Sequence, residues 1–415
     1  MNARDTGNPR PTEPFLRYVL SDCAGLCYPA APGNTVDVLF GFAALSRAER
    51  WRQELDTAFA AMDSSEAQLA QRAIAVLDSL SADSRARLFS TPLAEIDTAP
   101  NADCGEFNGP DETKRILSGT RHLIHHPDVH NIVFVLPPRL FTDGAFYLPH
   151  AHALLFNGGP GITTAVVEDE GNTRFIWSDG LSLTLANDGS GLPAGFCHSR
   201  LKPLPHIGGF PVLNSVAETA PLLSGFGPAA DDEIGRGAKR IEAALELLGQ
   251  IWPLAYHALY RHVKALCILK QRSYSRSHSP PELPGTIFMS ADDIERIGDL
   301  LCHESSHVRM NVFRLYDPIA RARTPELETA GFVSPWRPDL RPLRGLVDGV
   351  HAFLNVCHYH RRLGERFSDA WTSAVIYERQ KQNVIEASKT LREHAVPTRI
   401  GTMLLNEFAR EEALL

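Results

Sequence analysis

The 415-residue chain has no apolar run long enough to span a membrane, which excludes the usual helical anchor. Its first residues, MNARDTGNPRPTEP, are polar and proline-rich and carry no apolar core of a signal peptide. Excess positive charge is missing as well. A net charge of −8 argues against a protein built to coat nucleic acid. The seven cysteines (23, 27, 104, 197, 267, 302 and 357) are odd in number and scattered, so they do not form a disulfide framework. Cys23 and Cys27 lie close together, but no second close pair completes a zinc-site spacing. The glycine-rich NGGPG at 157–161 lacks the lysine and following helix of a phosphate loop and reads as a turn. These absences leave a cytoplasmic protein with no membrane or nucleic-acid partner as the expectation. With 44% apolar and 22% charged residues, it is long enough for a sizeable core.

The pattern predicts an α+β protein. Residues 1–125 read as a helical N-terminal region, 126–232 as a β-rich middle, and 233–415 as a mostly helical region that carries the chemistry, with the three possibly integrated into one domain. In the first region, 46–62 looks like a helix capped by Ser46 with Glu49 three residues on, and 64–80 repeats the amphipathic pattern. In the middle, 131–136, 145–156, 161–167, 173–178 and 181–185 read as strands between Gly, Asn and Asp turns. His150 and His152 would share one face if 145–156 is a strand. Further on, 233–270 reads as helix broken near Pro253, 287–290 as a short strand, 317–343 as a long loop, and 344–362 as a second helix. Residues 365–415 read as a helical, charged packing segment.

The chemistry concentrates in LCHESSHVRMN (301–311), an H-E-x-x-H pattern. Helical spacing puts His303 and His307 one turn apart on one face, able to hold one metal ion, with Glu304 beside them. The helix at 344–362 bears Asp348, His351, Asn355 and His358 on one polar stripe of an otherwise apolar surface. If that stripe is buried it needs partners, and metal ligation is one way to supply them. Two chemistries compete. A zinc metallopeptidase would use His303 and His307 as ligands and Glu304 as general base on a metal-bound water. An Fe(II) oxygenase would hold iron on one face and leave positions for a 2-oxo acid and dioxygen. A 2-oxo acid's far carboxylate needs a cation, and arginines stand ready: Arg337, Arg341 and Arg344 before the second helix, Arg272 and Arg276 before the first. A third possibility is a scaffold that binds a peptide without catalysis, its histidines buried for structure.

Several segments recur together here: GFPVLNS (209–215), LELLGQIWPLAYHAL (245–259), LPGTIFMS (283–290), LCHESSHVRMN, and VSPWRPDLRPLRGLVDGVHAFLNV (333–356). In that order the chain resembles the HExxH-type, 2-oxoglutarate-dependent peptide β-hydroxylases of ribosomal peptide biosynthesis. The last segment is the most specific, and the resemblance spans about residues 205–360. It implies an enzyme that uses Fe(II), 2-oxoglutarate and O2 to hydroxylate a β-carbon in a ribosomally made precursor peptide. His303 and His307 would be iron ligands, and Glu304 a group that orients a ligand or the cosubstrate rather than a base. The third ligand is inferred from the polar stripe as His351, with Asp348 and His358 as alternatives. Arg341 is the first choice for the 2-oxoglutarate carboxylate and Arg337 the second, with Ser275 and Ser277 as added hydroxyl donors. Ser305 and Ser306 stand where common members carry bulkier residues, which leaves the ligands intact and widens the site.

Overall fold

A computed structural model describes residues 27, 29, 32–33, 35–91, 93–94, 112–124, 126–157, 163–168, 172–186, 192, 198–224, 226–270, 276–291, 294–367 and 371–415. It shows an α+β fold with a helical N-terminal region and a β-rich middle. The chain divides into two compact units, so the helical and β-rich stretches expected as separate regions share one unit. That unit runs over Gly41–Gly227, and the other takes in Pro228–Leu415 with the residues leading to Phe40.

The first unit contains most of helix α1 (Thr35–Ala58), then α2 (Ser64–Ser79), α3 (Ala82–Leu88) and α4 (Glu112–Ser118). Ser46 does not cap a helix but is buried inside α1. The reason is that Val36, Leu39, Ala43 and Ala48 continue the buried spacing of Trp51 and Leu55 backwards past it. Helix α2 does start with a reciprocal cap: Asp63 accepts from the backbone N–H of Ser65 and Glu66, and the Glu66 carboxylate accepts from Asp63 N–H. Strands β1 (Ile132–Leu136), β2 (Ala145–Leu148), β3 (Ala153–Phe156), β4 (Thr163–Val167), β5 (Asn172–Trp177), β6 (Ser182–Ala186), β7 (Leu201–Pro203), β8 (His206–Ile207) and β9 (Phe210–Pro211) precede the short α5 (Ala220–Ser224). They make an antiparallel sheet of order β1-β4-β5-β6, a second of order β2-β3-β7, and the hairpin β8-β9. Alternation in β1, β4 and β5 turns Phe134, Ala165 and Phe175 into one core with Trp51, Leu69 and Phe89. Residues 145–156 form two strands rather than one. His150 and His152 lie in the turn between them, with His152 at φ 48°, so they do not share a strand face.

In the second unit, α6 (Asp231–Ile251) and α7 (Pro253–His262) meet at Trp252, where Pro253 supplies the first residue of the new helix. Strand β10 (Ala265–Ile268) follows. It pairs in parallel with β12 (Thr286–Met289), which pairs antiparallel with β11 (Ser277–His278). All four residues of β10 and of β12 are buried, which accounts for an apolar sequence broken only by Thr286. Helix α8 (Ile294–Arg314) carries the H-E-x-x-H residues. The stretch expected as a long loop instead contains β13 (Ala320–Ala322), α9 (Pro325–Ala330), and the hairpin of β14 (Phe332–Ser334) with β15 (Arg337–Arg341). These pieces are too short and too exposed for periodicity to reveal them. Helices α10 (Leu343–Arg366) and α11 (Trp371–His394), strand β16 (Ala395–Pro397) paired with β13, and α12 (Arg399–Glu412) complete the unit. Among the described residues no helix is long and apolar enough to cross a membrane.

Helix α8 packs on α6, α10 and β12, and α10 packs on α11. The α8–α10 approach is close. A Cβ on Gly298 of α8 would stand 2.2 Å from the hydroxyl of Tyr359 on α10. A Cβ on Gly349 of α10 would stand 2.5 Å from the Trp336 ring, so the bend between β14 and β15 can seat its tryptophan on α10 only because that residue is glycine.

Candidate metal centre

His303 and His307 project from the same face of α8, and their Nε2 atoms come within 2.9 Å. Their rings meet edge to face at 4.6 Å. Burial, reinforced by His307 next door, pushes the His303 pKa down to about 3. Burial likewise takes His307 to about 3, with the positive charge of Arg314 acting in the same direction. Both imidazoles are therefore neutral at pH 7, the state in which a ring nitrogen offers its lone pair to a metal. Two neutral nitrogens this close suit a single cation bonded at about 2.1 Å from each. The donor set fits a borderline metal such as Fe(II) or Zn(II).

Glu304 lies beside the pair but is held from another side. It is 2% exposed, and its Oε1 is 3.9 Å from His303 Nε2. Its Oε2 accepts a hydrogen bond of 2.7 Å from the Ser279 hydroxyl, and Ser277 bonds the same carboxylate. Burial raises its pKa to about 7, and the two serine hydroxyls pull the other way. Asn311 donates through Nδ2 to the Ser279 carbonyl at 3.0 Å, so β11 and the residue after it are fastened along α8.

On the far side of the histidines stands an aromatic wall. Phe353 of α10 meets His303 edge to face at 4.7 Å. Trp336 stacks on Phe353 at 4.7 Å and 5°, and its Nε1 donates to Gln380 at 3.0 Å. What α10 presents to His303 is thus a phenyl ring. His351, two residues before Phe353, is about 200° round the helix. It is fully buried against Phe408 of α12. Asp348 accepts from Arg314 at 2.5 Å, its other oxygen Oδ1 being buried without a partner. His358 packs on Trp252, accepts from Arg361 at 3.0 Å and lies 3.7 Å from Glu411. The structure therefore brings His303, His307, Glu304 and Ser277 together, and leaves His351, Asp348 and His358 with other partners. Among the described residues no three His, Cys, Asp or Glu side chains are already placed to share one metal ion.

The two arginines differ in what they meet. Arg341 is engaged by Asp339 at 3.1 Å. The charge of Arg337 reaches both His303 and His278, lowering both, and acts on the Asp339 carboxylate as well. Ser275 and Arg272 lie outside the described residues.

Three neighbours escaped the sequence reading. Ser279 and His278 were legible in principle, because Ser-His-Ser at 277–279 alternates as a strand does. Asn311 could have been found as the residue seven after Glu304 on the same helix stripe. A further constellation resembles a hydrolase triad. Ser373 Oγ lies 2.6 Å from His360 Nδ1, and His360 Nε2 lies 3.4 Å from Asp299 Oδ2. Ser373 is fully buried, so it presents no nucleophile to a substrate. The chain of bonds instead ties α8, α10 and α11 together. Compared with known proteins, the chain matches no protein-family model and no curated protein.

Proposed function

We propose that the protein is an Fe(II)- and 2-oxoglutarate-dependent dioxygenase that hydroxylates a β-carbon in a ribosomally made precursor peptide. The observation that carries this reading is the convergence of two neutral imidazoles, His303 and His307, on one face of α8, with the charge of Arg337 reaching His303. Iron with 2-oxoglutarate and O2 supplies the oxidising power that turns a C–H bond into C–OH. His303 and His307 hold the metal. Arg337 matches a carboxylate's charge and fork geometry, and takes the outer carboxylate of 2-oxoglutarate. Ser277 and Ser279 fix Glu304 beside the histidine pair, where it orients a ligand or the cosubstrate. Phe353 and Trp336 wall off water on the α10 side. The peptide as substrate comes from the resemblance over residues 205–360.

Anaerobic loading with Fe(II) and 2-oxoglutarate should give the weak visible charge-transfer band of a metal-chelated 2-oxo acid. Admission of air should then yield succinate, and co-expression with the precursor peptide should add one oxygen atom to the peptide. His303→Ala should abolish all three. A metal-loaded protein that shows no band and forms no succinate overturns the proposal.

One feature favours the zinc metallopeptidase as second reading: Glu304, with its pKa near 7, lies 3.9 Å from His303 Nε2. Against it, the carboxylate already accepts from two hydroxyls and is closed to solvent. Glu304→Gln separates the two. A peptidase loses all turnover with metal retained, whereas the oxygenase keeps 2-oxoglutarate consumption.

A further inference from the structure

Helix α8 carries a second polar stripe, turned away from the histidine pair. Cys302, Ser306 and Arg309 follow one another at four- and three-residue spacing, and Arg309 stands about 200° round the helix from His307. The stripe meets Asn355, one of the polar residues that the sequence sets in a row on α10. Arg309 is 1% exposed, and Cys302, Ser306 and Asn355 are buried with it. Its Nη2 donates to the Ser306 hydroxyl at 3.2 Å and to Asn355 Oδ1 at 3.4 Å. Both partners are neutral and are held by further bonds. Ser306 donates to the Cys302 carbonyl at 2.7 Å, and Asn355 Nδ2 donates to the carbonyls of Cys27 and His351 at 2.9 Å each. Nε and Nη1 carry three of the five N–H groups of a guanidinium, and here they are closed to solvent with no hydrogen-bond partner.

Arginine keeps its proton inside a protein, and a buried charge without a counter-charge is far more costly than a buried neutral group. We propose that Arg309 forms a buried anion site between α8 and α10 that takes one small monovalent anion, chloride in a cell. Three features set this class. A single positive charge balanced by no carboxylate calls for a single negative charge. The N–H groups are enclosed, so the ion must shed its water, which costs a halide less than sulfate or phosphate. Guanidinium is itself weakly hydrated, so bromide should bind at least as well as chloride, and fluoride worse. The rival counter-charge within the chain is a thiolate, because the thiols of Cys27 and Cys302 act on Arg309. Burial and the negative charge of Asp299 push the Cys302 thiol up, which leaves Cys27 as that rival. The site is independent of the metal-centre reading.

The test uses full-length, metal-free protein unfolded in urea at constant ionic strength, with sodium gluconate replaced stepwise by sodium chloride, bromide or fluoride. The ratio of folded to unfolded protein should rise about a hundredfold as chloride reaches a hundred times its Kd. Bromide should match or exceed this, and fluoride should fall short. Arg309→Met should fold, because an apolar residue of similar volume replaces a buried charge with little loss or a gain, and it should lose the halide dependence. If that variant fails to fold, bromide-soaked crystals of the native protein decide. An anomalous peak in contact with the Arg309 guanidinium supports the site, and its absence overturns it. Equal urea midpoints in chloride, bromide and gluconate overturn the proposal, as does a halide dependence that survives in Arg309→Met. Thiolate absorbance in the ultraviolet that disappears in Cys27→Ser would identify the Cys27 sulfur as the counter-charge and overturn it too.

Discussion

At the scale of single residues the site is a set of groups whose ionisation is suppressed by burial. Glu304 is pushed up to about 7 by burial, and His303 and His307 are pushed down to about 3. These shifts have opposite consequences for stability. A carboxylate whose pKa is higher folded than unfolded binds more protons in the native state, so its contribution weakens as pH rises from about 4.5 to about 7. Histidines with lowered values bind fewer protons when folded, so theirs weakens as pH falls from about 6.5 towards 3. In the metal-free protein, Glu304→Gln should therefore remove the decline on the neutral side and leave the acid limb in place. Chemical denaturation across pH 4.5–7.5 measures this, and parallel profiles for the native protein and the variant would refute the assignment. Legibility at this scale was uneven. His303, Glu304 and His307 could be read because four-residue spacing on a helix is a strong geometric rule. His351 was misleading because a polar stripe tells that residues share a face, not what that face meets. Here His351 meets Phe408, and the face turned to His303 carries Phe353.

At the scale of elements the centre depends on how closely α8 and α10 approach. Gly298 sits where the two helices meet, and a side chain there would collide with Tyr359, itself fully buried. Two effects oppose each other in Gly298→Ala. Helix propensity favours alanine by about 1 kcal/mol. Overpacking a filled core costs about 1–3 kcal/mol, and a contact at 2.2 Å cannot be relieved without moving Tyr359 or α10. Packing should win, giving a net loss of up to about 2 kcal/mol in denaturant melts. Gly364, near the C-terminal end of α10 with nothing within 4 Å, is the control: alanine there should stabilise. If both substitutions raise stability, the close approach is wrong. Long amphipathic helices such as α8 and α10, and the break at Pro253, were visible in the sequence because periodicity accumulates over many residues. The hairpin β14–β15 and α9 were not, being three to six residues long with few buried positions.

At the scale of the molecule, everything assigned to the metal centre lies in the unit containing Pro228–Leu415. The sheet β1-β4-β5-β6 and its core belong to the other unit. The two units have separate buried cores, so a ligand that binds one native state should suppress opening there first, by an amount that grows with RT ln(1 + [L]/Kd). At a hundredfold excess over Kd this is about 2.7 kcal/mol, or close to a hundredfold slower exchange for amides that open only with that unit. Hydrogen exchange read by mass spectrometry, with and without anaerobic Fe(II), should therefore show protection over 277–289, 294–314 and 343–366. Peptides from 132–186 should change far less, and His303→Ala should erase the difference. Protection spread evenly over both units would mean that the metal acts on the chain as a whole. Protection confined to 132–186, where His150 meets the ring of His126 and His152 that of His206, would move the metal to the other unit and sink the assignment of α8 as its seat. The expectation favours α8 for a physical reason. Its two imidazoles share one nitrogen-to-nitrogen contact on a rigid helix, whereas His150 and His152 hang from a turn in which His152 already holds a left-handed backbone conformation.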